Sequence, residues 1–285
     1  MTVKIVSIGA AVQDVFLSGK VLTPVQDEDG DWVEELPIGG KADLDKIVFS
    51  TGGGATNASV TFARQGLKAS FMGQIGHDPA GEAVIADLKR EMVETDLLVY
   101  EDNHGTGYSV ILLAPDGGRT ILTYRGASTH YNPANFNLKA AHTDWYYVSS
   151  LSGNMDLLEK IVHDAHERHI KVALNPGKKE LEQADRLKAL LPKIEILSAN
   201  KEETQLLFEG EHSWDLVKNA IETVPFVVVT DGPNGVVAAS KQQNKIVSGG
   251  MYEDVPVIDR TGAGDAFASG FTAKVAQGVN IEEAV

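Results

Sequence analysis

Short apolar runs rich in β-branched and aromatic residues alternate with helical patterns along most of the chain. The runs predicted as buried strands are residues 3–9, 69–76, 145–151, 171–175, 194–200 and 226–230. Between two of them, Met155, Leu158, Val162 and Ala165 recur at the spacing of one helix face. Because such an alternation forms a parallel sheet covered by helices on both faces, we predict an α/β fold that binds ligands at the carboxyl ends of its strands.

Two regions interrupt this alternation. Residues 15–50 contain VFLSGKVL, DWVEELPI and DKIVFS without a convincing helix between them, and residues 105–125 contain GYSVILLA and RTILTYR joined by the turn PDGG. We predict that these two regions form a small antiparallel β lid over the binding edge. Residues 1–14, 51–104 and 126–285 then form the α/β body.

Composition narrows the classes of partner. The chain has 285 residues, a formal net charge of −15 and no cysteine. The negative field opposes phosphate backbones and anionic lipids, so we expect neither nucleic acid nor a membrane as partner, and a neutral small molecule is favoured. The lack of cysteine excludes disulfides and thiolate chemistry. No secretory signal or membrane span is apparent, which predicts a cytoplasmic protein.

The segment DRTGAGDAFASGF, residues 259–271, places glycines directly before a helical pattern. At a helix N-terminus the free backbone N–H groups and the helix dipole favour an anion, and glycine keeps the approach open. Asp265 falls in the first turn, beside any anion held there. The alternative interpretation is that Thr261 caps the helix and the glycines only form a turn.

Three further segments carry polar residues that have both a structural and a functional interpretation. The glycines of residues 52–54 precede a helix with Asn57 in its first turn, where Asn57 either binds hydroxyl groups or caps the helix. Asp14 follows the first strand and either accepts hydrogen bonds from paired hydroxyls or stabilises a turn. Asn200 and Glu203 form either a capping box or an anion-facing pair that orients hydrated Mg²⁺.

Two common nucleotide motifs are absent from the sequence. No stretch fits the P-loop pattern GxxxxGK[ST], and GGGATN differs from the GxGxxG of dinucleotide-binding folds. The first strand is followed by a single glycine, so an oxidoreductase that uses a nicotinamide cofactor is disfavoured.

The segments SIGAAVQD, STGGGATN, NKEE, VVVTDGPNG and DRTGAGDAF, in this order, resemble the ribokinase-like carbohydrate kinases of the PfkB family. The resemblance runs from the first strand to the last residue. It implies ATP-dependent phosphorylation of an alcohol on a three-layer α/β body, with Mg²⁺ and, in many members, a monovalent cation such as K⁺. It also implies a β lid that often serves as the contact of a homodimer.

The resemblance also implies a role for individual residues. Asp265 corresponds to the catalytic base, and Gly262, Ala263 and Gly264 correspond to the anion hole that stabilises the transferring phosphoryl group. The positions that match contacts to the acceptor substrate are Asp14, Gly52, Gly53, Asn57 and Asn175. The positions that match the nucleotide site are Asn200, Thr230, Gly232, Gly235 and Arg260. Glu203 matches a Mg²⁺ position that acts through water, and Asp259 and Thr261 match a monovalent-cation site.

Arg260 occupies a position that is often Thr or Pro in the family. If Arg119 and Arg125 reach the acceptor, they favour a kinase of sugars or sugar acids. Otherwise they form ion pairs on the surface of the hairpin.

The alternative functions are a nucleoside kinase and a catalytically silent sensor of sugar or nucleotide. Family members usually continue beyond the equivalent of Val285 with helices that close the adenine pocket, so the resemblance implies further residues there.

Overall fold

The computed structural model describes residues 2–251 and 262–285, so the predicted site residues Asp259, Arg260 and Thr261 lie outside the described residues. The strands are β1 (Lys4–Ile8), β2 (Val12–Ser18), β3 (Val25–Gln26), β4 (Trp32–Val33), β5 (Lys46–Gly52), β6 (Lys68–Met72), β7 (Gln74–Gly76), β8 (Val99–Glu101), β9 (Gly107–Leu113), β10 (Arg119–Tyr124), β11 (Trp145–Val148), β12 (Lys171–Leu174), β13 (Ile196–Asn200), β14 (Phe226–Thr230), β15 (Val236–Ser240) and β16 (Lys245–Gly249). The helices are α1 (Gly54–Arg64), α2 (Pro79–Arg90), α3 (Met155–Arg168), α4 (Lys178–Leu181), α5 (Ala184–Leu190), α6 (Lys201–Gln205), α7 (Ser213–Ala220), α8 (Ala263–Ala276) and α9 (Ile281–Ala284).

The central sheet has eight strands in the order β16-β15-β14-β13-β12-β11-β1-β6. Six of these strands are parallel to one another, namely β14, β13, β12, β11, β1 and β6. The other two, β15 and β16, are added antiparallel at one edge. Each of the six apolar runs predicted as buried strands contributes one of the parallel strands. The predicted α/β class with a mostly parallel sheet is therefore confirmed.

Successive strand residues face opposite helical layers, as the pleat of a strand requires. Tyr146 and Val148 of β11 belong to the core that packs under α3, α5 and α7. Trp145 and Tyr147 of the same strand belong to the core under α1, α2 and α8. Burial on both faces explains why the parallel strands read as continuous apolar runs rather than as an alternation.

A second, smaller sheet has the strand order β10-β9-β2-β5. The predicted hairpin turn PDGG joins β9 to β10, and the N–H of Ala114 donates to the carbonyl of Gly118 at 2.9 Å. The pairs β2–β5 and β9–β10 are antiparallel, but β2 and β9 run parallel because the chain enters both strands from the body. The division of the chain into a body and a lid at the residues given above stays a prediction.

Membrane-spanning helices are absent from the described part of the chain. No helix within it is long and apolar enough to cross a membrane.

Candidate active site

A cleft with a volume of about 420 Å³ opens at the carboxyl ends of the parallel strands. Segments after β1, β11 and β12, the last residues of β13 and β14, and the starts of α1 and α8 form its described lining. The residues predicted from the sequence that lie on this lining are Gly53, Asn175, Asn200, Glu203, Thr230, Gly264 and Asp265. Residues from five separate segments of the chain therefore meet at the edge where the strand alternation predicts a ligand site.

Asp265 lies in the first turn of α8 and points its carboxyl group toward α1. The side-chain amide of Asn57 donates a hydrogen bond from Nδ2 to Oδ2 of Asp265 at 3.1 Å, although 208 positions separate the two residues. Burial raises the pKa of the Asp265 carboxyl above its usual range, and the hydrogen bond from Asn57 partly opposes that shift. A carboxylate that is harder to keep charged is a stronger proton acceptor.

At the start of α8, Gly264 and Asp265 line the same cleft, whereas Gly262 and Asn57 line a neighbouring pocket of about 350 Å³. Gly262 precedes the helix with a φ of +75°, a left-handed conformation that suits glycine. The first backbone bond of the helix joins the N–H of Ala266 to the carbonyl of Gly262 at 2.8 Å. The N–H groups before Ala266 therefore have no acceptor inside the helix, and Ala263 and Gly264 are exposed. This geometry can hold an anion beside Asp265.

The three glycines where β5 leads into α1 allow three parts of the site to approach one another. A Cβ on Gly52 would collide with Oδ2 of Asp14, and a Cβ on Gly53 would collide with the carbonyl of Ala10. Gly53 also has a φ of +103°, which a residue with a side chain rarely adopts. Gly54 lies against both Ser149 and Asp265, where a Cβ would be 3.3 Å from Oδ1 of Asp265.

Asp14 is part of the small sheet, on the same face of β2 as Val12, which lines the cleft. Its neighbours across the sheet are Ser50 of β5 and Ser109 of β9. Burial raises the pKa of Asp14, and a hydrogen bond with Ser109 opposes this effect. The small sheet thus supplies a half-buried carboxyl group next to the glycines that border the cleft.

Asn200 and Glu203 form a capping box at the start of α6 and line the cleft at the same time. The N–H of Glu203 donates to Oδ1 of Asn200 at 2.8 Å, and the N–H of Asn200 donates to Oε2 of Glu203 at 3.0 Å. Burial raises the pKa of Glu203, while the hydrogen bond from the backbone N–H of Asn200 lowers it. The structural and functional interpretations of this pair are therefore compatible.

The segment from Thr230 to Gly235 adjoins that pair. Thr230 is the register partner of Asn200 in the central sheet. The turn that includes Gly232 is closed by a hydrogen bond from the N–H of Asp231 to the carbonyl of Gly235 at 2.8 Å. Gly235 lines a second cavity of about 490 Å³, together with Lys201, which directly follows Asn200. A separate cavity at this turn therefore lies beside the residues that follow Asn200.

Some lining residues are not among those predicted from the sequence. Ser149, Ser150 and Ser152 follow β11, and the Oγ of Ser149 is buried with no hydrogen-bond partner among the described residues. The polar end of the run WYYVSSL, at the carboxyl end of a predicted parallel strand, could have indicated them. Among the described residues that line the cleft, Arg125 is the only one with a basic side chain.

The model of the pfkB family carbohydrate kinases matches residues 30–285 of the chain. The chain belongs to the pfkB family. It is thus a carbohydrate kinase, a phosphotransferase that uses an alcohol group as acceptor, and the family resemblance and enzyme class predicted from the sequence are confirmed.

Relatives in this family are similar to this chain at low sequence identity. A ribokinase of Haemophilus influenzae is 27% identical over 246 residues, which cover 82% of this chain and 77% of the relative. A nucleoside kinase of Methanocaldococcus jannaschii is 26% identical over 243 residues, which cover 81% of this chain and 74% of the relative. The solved structure of an Arabidopsis thaliana ribokinase complexed with ribose and ATP has a TM-score of 0.77 at 21% identity, covering 100% of this chain and 89% of that one. At such identity, the likeness of the structures shows the fold.

Proposed function

We propose that the protein transfers the γ-phosphate of ATP to a hydroxyl group of a sugar or sugar acid. The observation that carries this proposal is that one helix turn brings a carboxyl group and free backbone amides into the same cleft. Asp265 and Gly264 both line the cleft, and the Asp265 carboxyl has a raised pKa. Phosphoryl transfer requires positioning and charge stabilisation, and this turn offers a group for each task.

In the proposed reaction, Asp265 accepts the proton of the acceptor hydroxyl as its oxygen attacks the γ-phosphorus. The bond between the γ-phosphorus and the bridging oxygen breaks, and ADP leaves with that electron pair. The N–H groups of Gly262, Ala263 and Gly264 stabilise the charge on the transferring phosphoryl group. Raising the pKa of Asp265 by burial makes the carboxylate a better base for this step.

The acceptor is held on the side of the cleft near the small sheet. We assign this role to Asp14, Gly52, Gly53, Asn57 and Asn175. The carboxylate of Asp14 can accept hydrogen bonds from hydroxyl groups, and Oδ1 of Asn175 faces no described donor while its Nδ2 donates to the carbonyl of Ser198 at 2.8 Å. Arg125 lines the cleft and would pair with the carboxylate of a sugar acid, so sugar acids are among the proposed acceptors.

ATP is held on the other side, and Asn200, Thr230, Gly232, Gly235 and Arg260 are assigned to it. Glu203 would hold Mg²⁺ through water, since one of its oxygens serves the capping box and the residue still lines the cleft. Bound Mg²⁺ supplies charge neutralisation on the phosphates. Asp259 and Thr261 are assigned to a monovalent cation such as K⁺. The cytoplasmic location predicted from the sequence stays a prediction.

A nucleoside kinase is the second candidate, because the nucleoside kinase of M. jannaschii is about as similar to this chain as the ribokinase of H. influenzae. A catalytically silent sensor fits less well. Such a protein has no need of a base and an anion-binding turn in one cleft, and both groups are present here.

The experiment is a measurement of ADP release by the full-length protein with ATP and Mg²⁺, with and without K⁺. The acceptor panel contains pentoses, hexoses, sugar acids and nucleosides, and the control omits the acceptor. We expect release above the control with sugars or sugar acids. A response to nucleosides alone would favour the second candidate, and no response to any acceptor would contradict the proposed function.

A further inference from the structure

A buried carboxylate outside the assigned site joins two loops of the cleft wall. Glu180 of α4 is 1% exposed. Its Oε1 accepts hydrogen bonds from the N–H groups of Leu151 at 2.9 Å and Gly153 at 2.6 Å. Its Oε2 accepts from the N–H of Gly177 at 2.9 Å and from the hydroxyl of Ser150 at 3.1 Å. Within the described residues, no ion pair involves this carboxylate.

The pattern of donors requires a carboxylate at this position. Each oxygen of Glu180 accepts two hydrogen bonds, and three of the four donors are backbone N–H groups that cannot reverse their role. A glutamine of the same shape offers an acceptor at one end only, so its NH₂ group would face at least one backbone N–H. A buried donor left without an acceptor destabilises the arrangement of the two loops.

A glycine in the second loop allows the close approach that this arrangement needs. A Cβ on Gly177 would collide with Oγ of Ser150 and would lie 2.9 Å from Oε2 of Glu180. The φ of Gly177 is −90°, a value open to any residue, so the backbone conformation does not require glycine there. The requirement for glycine at position 177 comes from the contact between the two loops.

The two loops that Glu180 joins form one wall of the cleft. Their residues on the lining are Ser149, Ser150, Ser152, Asn175, Pro176 and Gly177. The wall also reaches the foot of the small sheet, because the hydroxyl of Ser152 donates to the carbonyl of Ser128 at 3.0 Å. The N–H of Ser128 in turn donates to the carbonyl of Arg125 at 3.1 Å. Glu180 is thus linked by hydrogen bonds to the part of the cleft assigned to the acceptor.

We propose that Glu180 is a positioning residue for the acceptor substrate. It touches neither substrate nor nucleotide. It fixes the loop of residues 149–153 against the loop of residues 175–177, so that their polar groups meet the acceptor in one arrangement. This inference rests on the proposed function, because it assumes that an acceptor alcohol binds against this wall.

The test compares wild type with Glu180→Gln, using the acceptor and the ATP·Mg²⁺ that support transfer in the panel. Glu182→Gln is the matched control, since Glu182 lies two positions along the chain and is exposed. We expect Glu180→Gln to raise the KM for the acceptor by about tenfold and to leave the KM for ATP within about twofold. Amide hydrogen exchange should be faster at Gly177 in Glu180→Gln, and Glu182→Gln should match wild type in all three measurements.

Gly177→Ala is a second variant that acts on the same contact from the other loop. It keeps Glu180 and a permitted backbone conformation, and we expect it to show the same rise in the KM for the acceptor. Equal rises in both KM values, or unchanged kinetics with only a lower melting temperature, would overturn the role assigned to Glu180. Wild-type protein that transfers no phosphate would instead overturn the proposed function, so the two failures are distinguishable.

Discussion

Asn57 and Asp265 form the pair of side chains on which the proposed chemistry depends most closely. The Asn57 amide reaches Asp265 from the first turn of another helix and donates to the oxygen that faces α1. Burial raises the pKa of Asp265, and this donor lowers it, because a hydrogen bond to the carboxylate stabilises its charged form. The ionisation of the proposed base therefore depends on one amide donor.

Replacing Asn57 by Ala should move the acidic limb of the pH–rate profile to higher pH. The substitution leaves burial unopposed, so the pKa of Asp265 rises further and the base becomes protonated at a higher pH than in wild type. The measurement is kcat/KM for the acceptor against pH, with Thr61→Ala, one turn along α1, as the control. An acidic limb that stays in place, or moves to lower pH, would show that Asn57 does not tune the base.

At the scale of elements, the small sheet carries a row of apolar residues next to the row that contains Asp14. On the face of the sheet that carries Asp14, the next row of residues consists of Val48, Phe16, Ile111 and Ile121. Val48 is 39% exposed and Ile121 is 46% exposed, whereas Ile111 is buried. Covering the two exposed side chains removes apolar surface from water, which favours association. We propose that a second copy of the chain covers the exposed residues of this row and makes the protein a homodimer.

The substitution Ile121→Glu tests the dimer, because it places a charge on an exposed residue of the proposed contact. We expect wild type to have twice the mass of the chain by light scattering after size exclusion, and Ile121→Glu to have the mass of one chain. Leu206→Glu, on a residue that is 52% exposed at the end of α6, should stay dimeric. A monomeric wild type, or an Ile121→Glu variant that remains dimeric, would rule out this contact.

Elements with a strong periodic pattern could be predicted from the sequence, and contacts between loops could not. The six parallel strands, the helix α3 and the PDGG hairpin follow from periodicity and turn chemistry, which are local properties. Nothing local indicates that Glu180 meets Leu151, Gly153 and Gly177. Those contacts depend on the pairing of β11 with β12, which brings together the loops that follow these two strands.

At the scale of the whole molecule, the order of strands in the central sheet builds the site. The first strand lies between β11 and β6, and the late strands β13 and β14 lie beyond β12, so residues from both ends of the chain share one edge. The segments with glycine could be located from the sequence, but the meeting of Asp265 with Gly54 and Asn57 depends on α8 packing along α1. The proposed kinase mechanism requires this assembly to place a base beside the acceptor.

The most direct test of the mechanism is the rate of phosphate transfer by Asp265→Asn, measured together with its affinity for ATP·Mg²⁺. Asparagine keeps the shape of the side chain and the contact with Asn57 but cannot accept the acceptor proton. We predict that kcat falls by about 10²- to 10⁴-fold. The Kd for ATP should stay within about tenfold of wild type, because the base acts on the acceptor and does not hold the nucleotide. An Asp265→Asn protein that transfers phosphate at nearly the wild-type rate would contradict the account.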